Sequence, residues 1–320
     1  MALLEIQDLT TYYTIGRGFV KAVEGVNFQI EKGEAMGLVG ESGCGKTTVA
    51  LSLLRILPYN GKIVKGKILF KNMDIVQLSE DRLRKDIRWR GISLIFQGAM
   101  NALNPVYKIE EQIVEVIRLH ESSVTKKEAR ERVGKLLEMV GVDPSRARNY
   151  PHEFSGGMKQ RAMIAMALAS NPDMVIADEP GTALDVIVQA QVLKLLNELK
   201  NRLNLALLVI THDLSLVTEI CEKLAVMYAG NIAEYGSVVN LYKTPLHPYT
   251  QDLISSFPDI QSQKRLMVSI PGSPPDLLLP PPGCRFHPRC KYAMDVCKKE
   301  VPKLKKVAED HYVACHLTGA

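Results

Sequence analysis

The stretch GESGCGKT, Gly40 to Thr47, constrains this chain more than any other eight residues. It fits G-x-x-x-x-G-K-[ST], follows an apolar run that reads as a buried strand (AMGLV), and opens a run with helical spacing, which is the context the pattern requires. The physics is direct. Glycines let consecutive backbone N–H groups turn inward as an anion nest at a helix N-terminus. Lys46 adds a point charge for the outer phosphates, and the Thr47 hydroxyl is a ligand for Mg2+. Cys44 sits inside the loop, where its small size is its use. A chance glycine-rich turn would not be expected to bring the strand and the helix with it. No N-K-x-D guanine-reading motif follows, which argues against a GTPase.

The rest of the chain alternates short apolar runs with helical ones. Leu3 to Ile30 alternates like β-strands; GKILFKNMD, ISLIFQ, MVIADE and LALLVITHD read as further strands. Val186 to Leu203 is helical between two of them, so parallel strands with crossover helices, an α/β layer fold, are expected. From about Asn104 to Ser170 the pattern is helical throughout. Val133, Leu136, Leu137 and Val140 are spaced along one helix face, with Gly141 as its stop. LAVMYAGNIAEYGS reads as a hairpin turning at Gly230-Asn231. After Pro271 the composition shifts to a proline-rich connector and then a cysteine-rich end.

Three downstream motifs narrow the chemistry. FSGGMKQR, Phe154 to Arg161, opens a helical run with Ser155 and two glycines, a second anion-binding turn. An ordinary N-cap would look similar. One nucleotide needs one phosphate loop, however, so a second turn suggests a site shared between two chains. MVIADE ends a buried strand in Asp178, suited to holding Mg2+, and Glu179, suited to polarising a water. THD places His212 at another strand end. An acidic strand end or a lone histidine is weak alone; the ordered set is strong.

The set GESGCGKT, FQ at Gln97, FSGGMKQR, MVIADE, TALD and THD resembles the ATP-binding subunit of an ABC transporter over about residues 1–239. The implied fold is an α/β P-loop NTPase core with an N-terminal antiparallel β subdomain, a helical subdomain inserted at about 99–170, and a small Cys-rich C-terminal extension. The resemblance implies that ATP is held by Tyr13, stacking on adenine, and by Gly40, Ser42, Gly43, Cys44, Gly45, Lys46, Thr47 and Thr48. Tyr12 competes with Tyr13 for the stacking role. Mg2+ falls to Thr47, Gln97 and Asp178. Glu179 is the implied catalytic base, His212 the γ-phosphate switch, and Gln97 the loop glutamine facing the membrane subunit. Ser155, Gly156, Gly157 and Gln160 would act in trans on the partner's ATP, and Asp185 would pair across the dimer. Gly181-Thr182 departs from the family's usual Thr-Ser or Thr-Thr, a glycine that would loosen this loop.

The region TPLHPYTQDLISSFP and then IPGSPPDLLLPPPGCRFHPRC is similar to the C-terminal extension of dipeptide and oligopeptide importers, a group that includes nickel importers. In physical terms His247 to Ser256 is a helix with Pro248 near its first turn, packing on the ATPase. The expected organisation is an ATPase at 1–239, an extension and connector at 240–283, and a four-cysteine module at 284–320. The resemblance implies a second ATPase subunit of a different chain, two membrane permease subunits and, indirectly, an extracellular binding protein. A soluble ABC-type ATPase acting on nucleic acid is the competing class, but this chain has one GKT, one SGG and no long heptad run. An exporter half is disfavoured because no spanning helix is fused.

Cys284, Cys290, Cys297 and Cys315 follow C-x5-C-x6-C-x17-C. Cytosolic thiols stay reduced, so disulfides are disfavoured. Four thiolates suit tetrahedral zinc, with His287, His311 and His316 as alternative ligands. Zinc modules, though, tend to use tight pairs such as C-x2-C, and wider spacing lets each thiolate reach a different corner of a 4Fe-4S cube. Spacing leaves both open. The resemblance to the peptide-importer tail implies the 4Fe-4S cluster, with Zn2+ as the alternative.

Residues 284–320 carry eight Lys or Arg against four Asp or Glu, so most of the net charge of +5 lies there and the body is near neutral. A small basic patch is ordinarily a solvated surface. No apolar run approaches the roughly 18 residues of a membrane span, and MALLEIQDL lacks the basic and apolar regions of a secretory signal. The expected location is the cytoplasmic face of the membrane, with other chains doing the spanning.

Overall fold

The computed structural model describes residues 2–16, 18–98, 102–182, 184–256 and 270–319. Residues 99–101, at the expected start of the helical subdomain, and 257–269, inside the expected extension and connector, lie outside the described residues. Contacts divide the chain into two units, residues 1–31, 35–76 and 211–320 in the first, and 32–34 and 77–210 in the second.

The first unit holds an antiparallel sheet in the order Gly18–Glu31, Ala2–Ile15, Gly61–Phe70 and Met73–Asp74. Leu4 lies between Ile30 and Phe70, and Ile6 between Phe28 and Ile68. These six apolar side chains are all buried. That is the alternation read from the sequence, one face inward at period two.

The same unit pairs strand Ala35–Val39 in parallel with Lys223–Tyr228, Met36 opposite Lys223 and Val39 opposite Val226. All five residues of Ala35–Val39 are buried. Asn231–Ser237 runs antiparallel to Lys223–Tyr228. Ala229 and Gly230 both take positive φ, 45° and 88°, so the hairpin turns one residue ahead of the expected Gly230-Asn231. The far end of the chain then continues this sheet. His311–Val313 pairs with Asn231–Ser237, and Lys305–Ala308 pairs with His311–Val313. The exposed Lys305 and Lys306 occupy the outer strand, where charge discourages further pairing.

One buried carboxylate organises this join. Glu234, fully buried, accepts from the backbone N–H of Leu246 at 2.9 Å and of His247 at 3.0 Å, and pairs with His311 Nε2 at 2.7 Å. It thereby fixes the start of helix Pro248–Ser255 and the strand His311–Val313 at once. His247 caps the helix through Nδ1, which accepts from Tyr249 N at 3.0 Å, and Pro248 fills the first turn. Tyr249 then packs into an aromatic cluster with Tyr228 and Phe286, ring centroids 4.6 and 5.4 Å away.

The second unit contains three parallel strands, Ile92–Ile95, Met174–Asp178 and Ala206–Thr211, the last running to the unit's border. Met174 pairs with Ile92 on one side and Ala206 on the other. Every residue of these strands is buried, as a two-sided parallel layer requires. The helical stretch resolves into Ile109–His120, Lys126–Met139 and Gly156–Ala167, with short 3-10 turns between. Val133, Leu136, Leu137 and Val140 face inward, and Gly141 takes φ 71° just past the helix end. Among the described residues no helix is long and apolar enough to cross a membrane.

Candidate nucleotide site

The phosphate loop lies in the first unit, between strand Ala35–Val39 and helix Lys46–Leu53. Two glycines are obligatory for its shape. Gly40 has φ 154°, and a β-carbon there would meet the Met227 carbonyl oxygen at 2.1 Å; Gly45, the N-cap, has φ 106° and would meet the Ala22 oxygen at 2.2 Å. The loop is then tied down by its own carbonyls. Cys44 O accepts from Gly230 N at 2.8 Å. Lys46, buried, donates from Nζ to Gly40 O at 2.7 Å and Glu41 O at 3.0 Å. Ser42, Gly43 and Thr47 are exposed. Burial pushes the Cys44 thiol up, against the Lys46 charge that lowers it, so Cys44 stays a protonated, inert packing residue.

The two competing tyrosines have different employment. Tyr12 donates to Glu24 Oε1 at 2.8 Å, and burial with that hydrogen bond pushes its phenol up to about 12. Tyr13 instead lies over Gly61, where a β-carbon would meet its ring at 2.7 Å, and its hydroxyl meets Thr48 Oγ1 at 3.2 Å, on the loop's helix. His212 is exposed and follows directly on strand Ala206–Thr211.

The acidic pair lies in the second unit. Asp178 ends the strand Met174–Asp178, buried. Glu179 takes φ 46°, a left-handed conformation uncommon outside glycine, held by its N–H donating to Ile210 O at 2.8 Å. Gln97 Nε2 donates to Glu179 Oε2 at 2.7 Å, and Thr182 Oγ1 donates to the same oxygen at 2.9 Å. Thr182, the first residue of TALD, reads in the sequence as part of that motif and not as a partner of Glu179.

Ser155 caps helix Gly156–Ala167, accepting from Met158 N at 3.3 Å, and Asp185 caps Val186–Leu203, accepting from Val188 N at 2.9 Å. The two helix starts touch: a β-carbon on Gly157 would meet Val188 Cγ1 at 2.9 Å. Gln160 is buried in the first of these helices. Gly181 is buried, and a β-carbon there would meet the Gln189 side chain.

The four late cysteines line one small cavity of about 10 Å³, with Phe286 and Tyr292 among its walls. Cys284 is pushed up to about 11, chiefly by burial, with the other three thiols adding to the shift. Among the described residues no group of three or more His, Cys, Asp or Glu side chains is placed to hold a single metal ion.

A strand, an anion-binding glycine loop and a helix, together with a carboxylate held by a glutamine, define a nucleotide-hydrolysing protein. Comparison narrows this. The family model described as "ABC transporter" matches residues 23–182, and that described as "Oligopeptide/dipeptide transporter, C-terminal region" matches residues 233–297. The chain is 42% identical to the dipeptide transport ATP-binding protein DppD of Caldanaerobacter subterraneus, covering 98% of this chain and 97% of that one. It is 45% identical to the oligopeptide transport ATP-binding proteins AppF of Bacillus subtilis (98% and 97% covered) and OppD of Escherichia coli (98% and 93%). A dimeric post-hydrolysis structure of the ATP-binding cassette MJ0796 with ADP and Pi superimposes with a TM-score of 0.66 at 28% identity, covering 73% of this chain and 98% of that one. The chain belongs to the ATP-binding proteins of the ABC transporter family, in its dipeptide and oligopeptide group. It is an ABC ATPase, hydrolysing ATP for transport.

Proposed function

We propose that this chain is the ATPase of a peptide importer, powering uptake of di- or oligopeptides through separate membrane subunits. The observation that carries the cargo is the full-length similarity to peptide transport ATP-binding proteins, including the C-terminal region at 233–297. The chain works paired with a second ABC ATPase subunit of a different sequence, at the cytoplasmic face of the membrane, beneath two permease subunits that an extracellular binding protein feeds. Nucleic acid has no part in this.

The phosphate loop, residues 40–48, binds the ATP phosphates through its N–H groups and Lys46, with Tyr13 against the adenine. Thr47, Gln97 and Asp178 offer only oxygen ligands, a set that suits Mg2+, which neutralises charge on the β- and γ-phosphates. Glu179 orients and deprotonates the attacking water; Gln97 and Thr182 hold its carboxylate ready. His212 contacts the γ-phosphate. Ser155, Gly156, Gly157 and Gln160 complete the partner's ATP site, and Asp185 pairs across the dimer. The touching helix starts at Gly157 and Val188 support a joint role for the last two groups.

Cys284, Cys290, Cys297 and Cys315 are the residues that would hold a 4Fe-4S cluster, with Zn2+ as the alternative; what supports this is that all four thiols line one small cavity. Bound there, a cluster would crosslink a tail too short to bury a core of its own.

Reconstituting the chain with its membrane subunits and binding protein, and following uptake of labelled di- and tetrapeptides, tests the cargo. ATP-driven peptide uptake is expected. Nickel uptake without peptide uptake would overturn the reading.

A further inference from the structure

Glu41 is the first variable residue of the phosphate loop, and all three of its polar groups are held. Its carbonyl accepts from Lys46 Nζ at 3.0 Å. Its N–H donates to the Tyr249 hydroxyl at 3.0 Å. Its carboxylate takes both arms of Arg289, Nη1 to Oε2 at 2.7 Å and Nη2 to Oε1 at 3.1 Å. Arg289 comes from the cysteine-rich tail, one residue before Cys290, and its side chain is 5% exposed. The tail in turn anchors it. Arg289 Nε donates to Pro271 O at 2.7 Å, and the guanidinium lies 5.7 Å from the Tyr228 ring centroid.

A second arginine repeats the arrangement. Arg285, one residue after Cys284, donates to Ala229 O and pairs with Glu24. Ala229 precedes Gly230, whose N–H holds Cys44 O of the loop. Arg289 thus holds the loop directly, and Arg285 holds the turn whose Gly230 N–H reaches Cys44 O.

We infer that Arg289 is a positioning residue for ATP binding: by clamping Glu41 it sets where the phosphate loop presents its N–H groups and Lys46. A bidentate guanidinium–carboxylate pair fixes orientation as well as distance. With the Glu41 N–H committed to Tyr249 and the Cys44 N–H to Glu41 O at 3.3 Å, the nest is left to the other N–H groups of residues 42–48. The four-cysteine module is thereby part of the nucleotide site through Arg289, without touching nucleotide. The inference rests on residues 40–48 being the phosphate loop.

The test uses the full chain in its assembled transporter, with MgATP hydrolysis measured for Arg289→Ala, Arg289→Lys, Glu41→Gln and the reversed pair Glu41→Arg with Arg289→Glu. Losing the charge-assisted pair predicts a KM for ATP raised about tenfold in Arg289→Ala and in Glu41→Gln, with kcat held within about twofold. The reversed pair should recover part of the KM loss, and Arg289→Lys less of it. Glu41→Gln leaves the cysteine module intact, so its KM answers the question even if Arg289→Ala misfolds. An unchanged KM in Glu41→Gln, or a loss of kcat and thermal stability that the reversed pair does not relieve, overturns the inference. Lys46→Ala is the reference: normal MgATP binding there would instead unseat the loop assignment itself.

Discussion

Gln97 donates to the same carboxylate oxygen of Glu179, at 2.7 Å, that Thr182 reaches at 2.9 Å. A carboxylate held by two neutral donors is aimed, as the proposed general base must be. Glu179→Gln keeps the volume and removes the base. The expected outcome is a kcat lower by about 10² to 10⁴, the usual worth of general base catalysis, with MgATP binding retained and the ATPase pair trapped closed. Steady-state hydrolysis and gel filtration with ATP check this. Hydrolysis at the parent rate would remove Glu179 from the role.

The proposed adenine platform separates the two adjacent tyrosines. Tyr12 is occupied by Glu24, whereas Tyr13 covers Gly61 beside Thr48. Tyr13→Ala should raise the KM for ATP about tenfold or more, since base stacking on an aromatic is worth about 1–3 kcal/mol. Tyr13→Trp should keep it. Tyr12→Phe should leave KM near the parent value and cost only modest stability through Glu24. Initial rates across an ATP series distinguish the pair.

What the sequence made readable were features written in consecutive residues. The glycine loop, the alternation of Leu4 and Ile6, the all-apolar strands and the Gly141 stop each follow from local sterics and periodicity. The hairpin at 223–237 was legible as a hairpin, but its turn moved by one residue because Ala229 and Gly230 both adopt positive φ. Long-range partners were not legible. Nothing local indicates that Glu234 meets His311, that Glu41 meets Arg289, or that His311–Val313 extends a sheet begun at Ala35. In those cases the partner is chosen by the folded surface and not by sequence neighbours. The short, basic final strands carry too weak a pattern to be read before their partner is known.

Glu234 is the clearest stability prediction. Its carboxylate is fully buried and serves two backbone donors and His311. Glu234→Ala strands all three, and breaking a buried hydrogen-bonded charge costs about 3–5 kcal/mol. Thermal unfolding should show a marked fall in midpoint. Protease should cut first in the tail, where helix Pro248–Ser255 and strand His311–Val313 lose their shared anchor. His311→Ala should give a smaller fall, since the two backbone donors keep their acceptor.

The capping box on helix Lys126–Met139 makes a pH prediction. Thr125 accepts from Glu128 N, and the Glu128 carboxylate accepts from the backbone and hydroxyl of Thr125. Those hydrogen bonds hold the carboxyl below its usual range. Its stabilising contribution is therefore present above the unfolded carboxylate pKa of about 4.3 and disappears as pH falls through the lower folded value. Glu128→Gln should be less stable than the parent at pH 7, with the difference shrinking below about pH 4. Denaturant midpoints for both proteins along a pH series give the comparison.

The cysteine cavity separates two metals by analysis of the purified protein. Cys284, Cys290, Cys297 and Cys315 line one small cavity. Anaerobically prepared protein should be brown and contain about four iron and four sulfide per chain. Cys297→Ser should lose most of both. Cys297 O accepts from Cys284 N at 2.8 Å, so the tail keeps a backbone tie when the thiol is gone. Loss of iron with ATP hydrolysis unchanged would make the cluster a structural crosslink. Loss of iron with a raised KM for ATP would carry the effect through Arg289 to Glu41. A colourless protein with one zinc and no sulfide would replace the cluster with a mononuclear site.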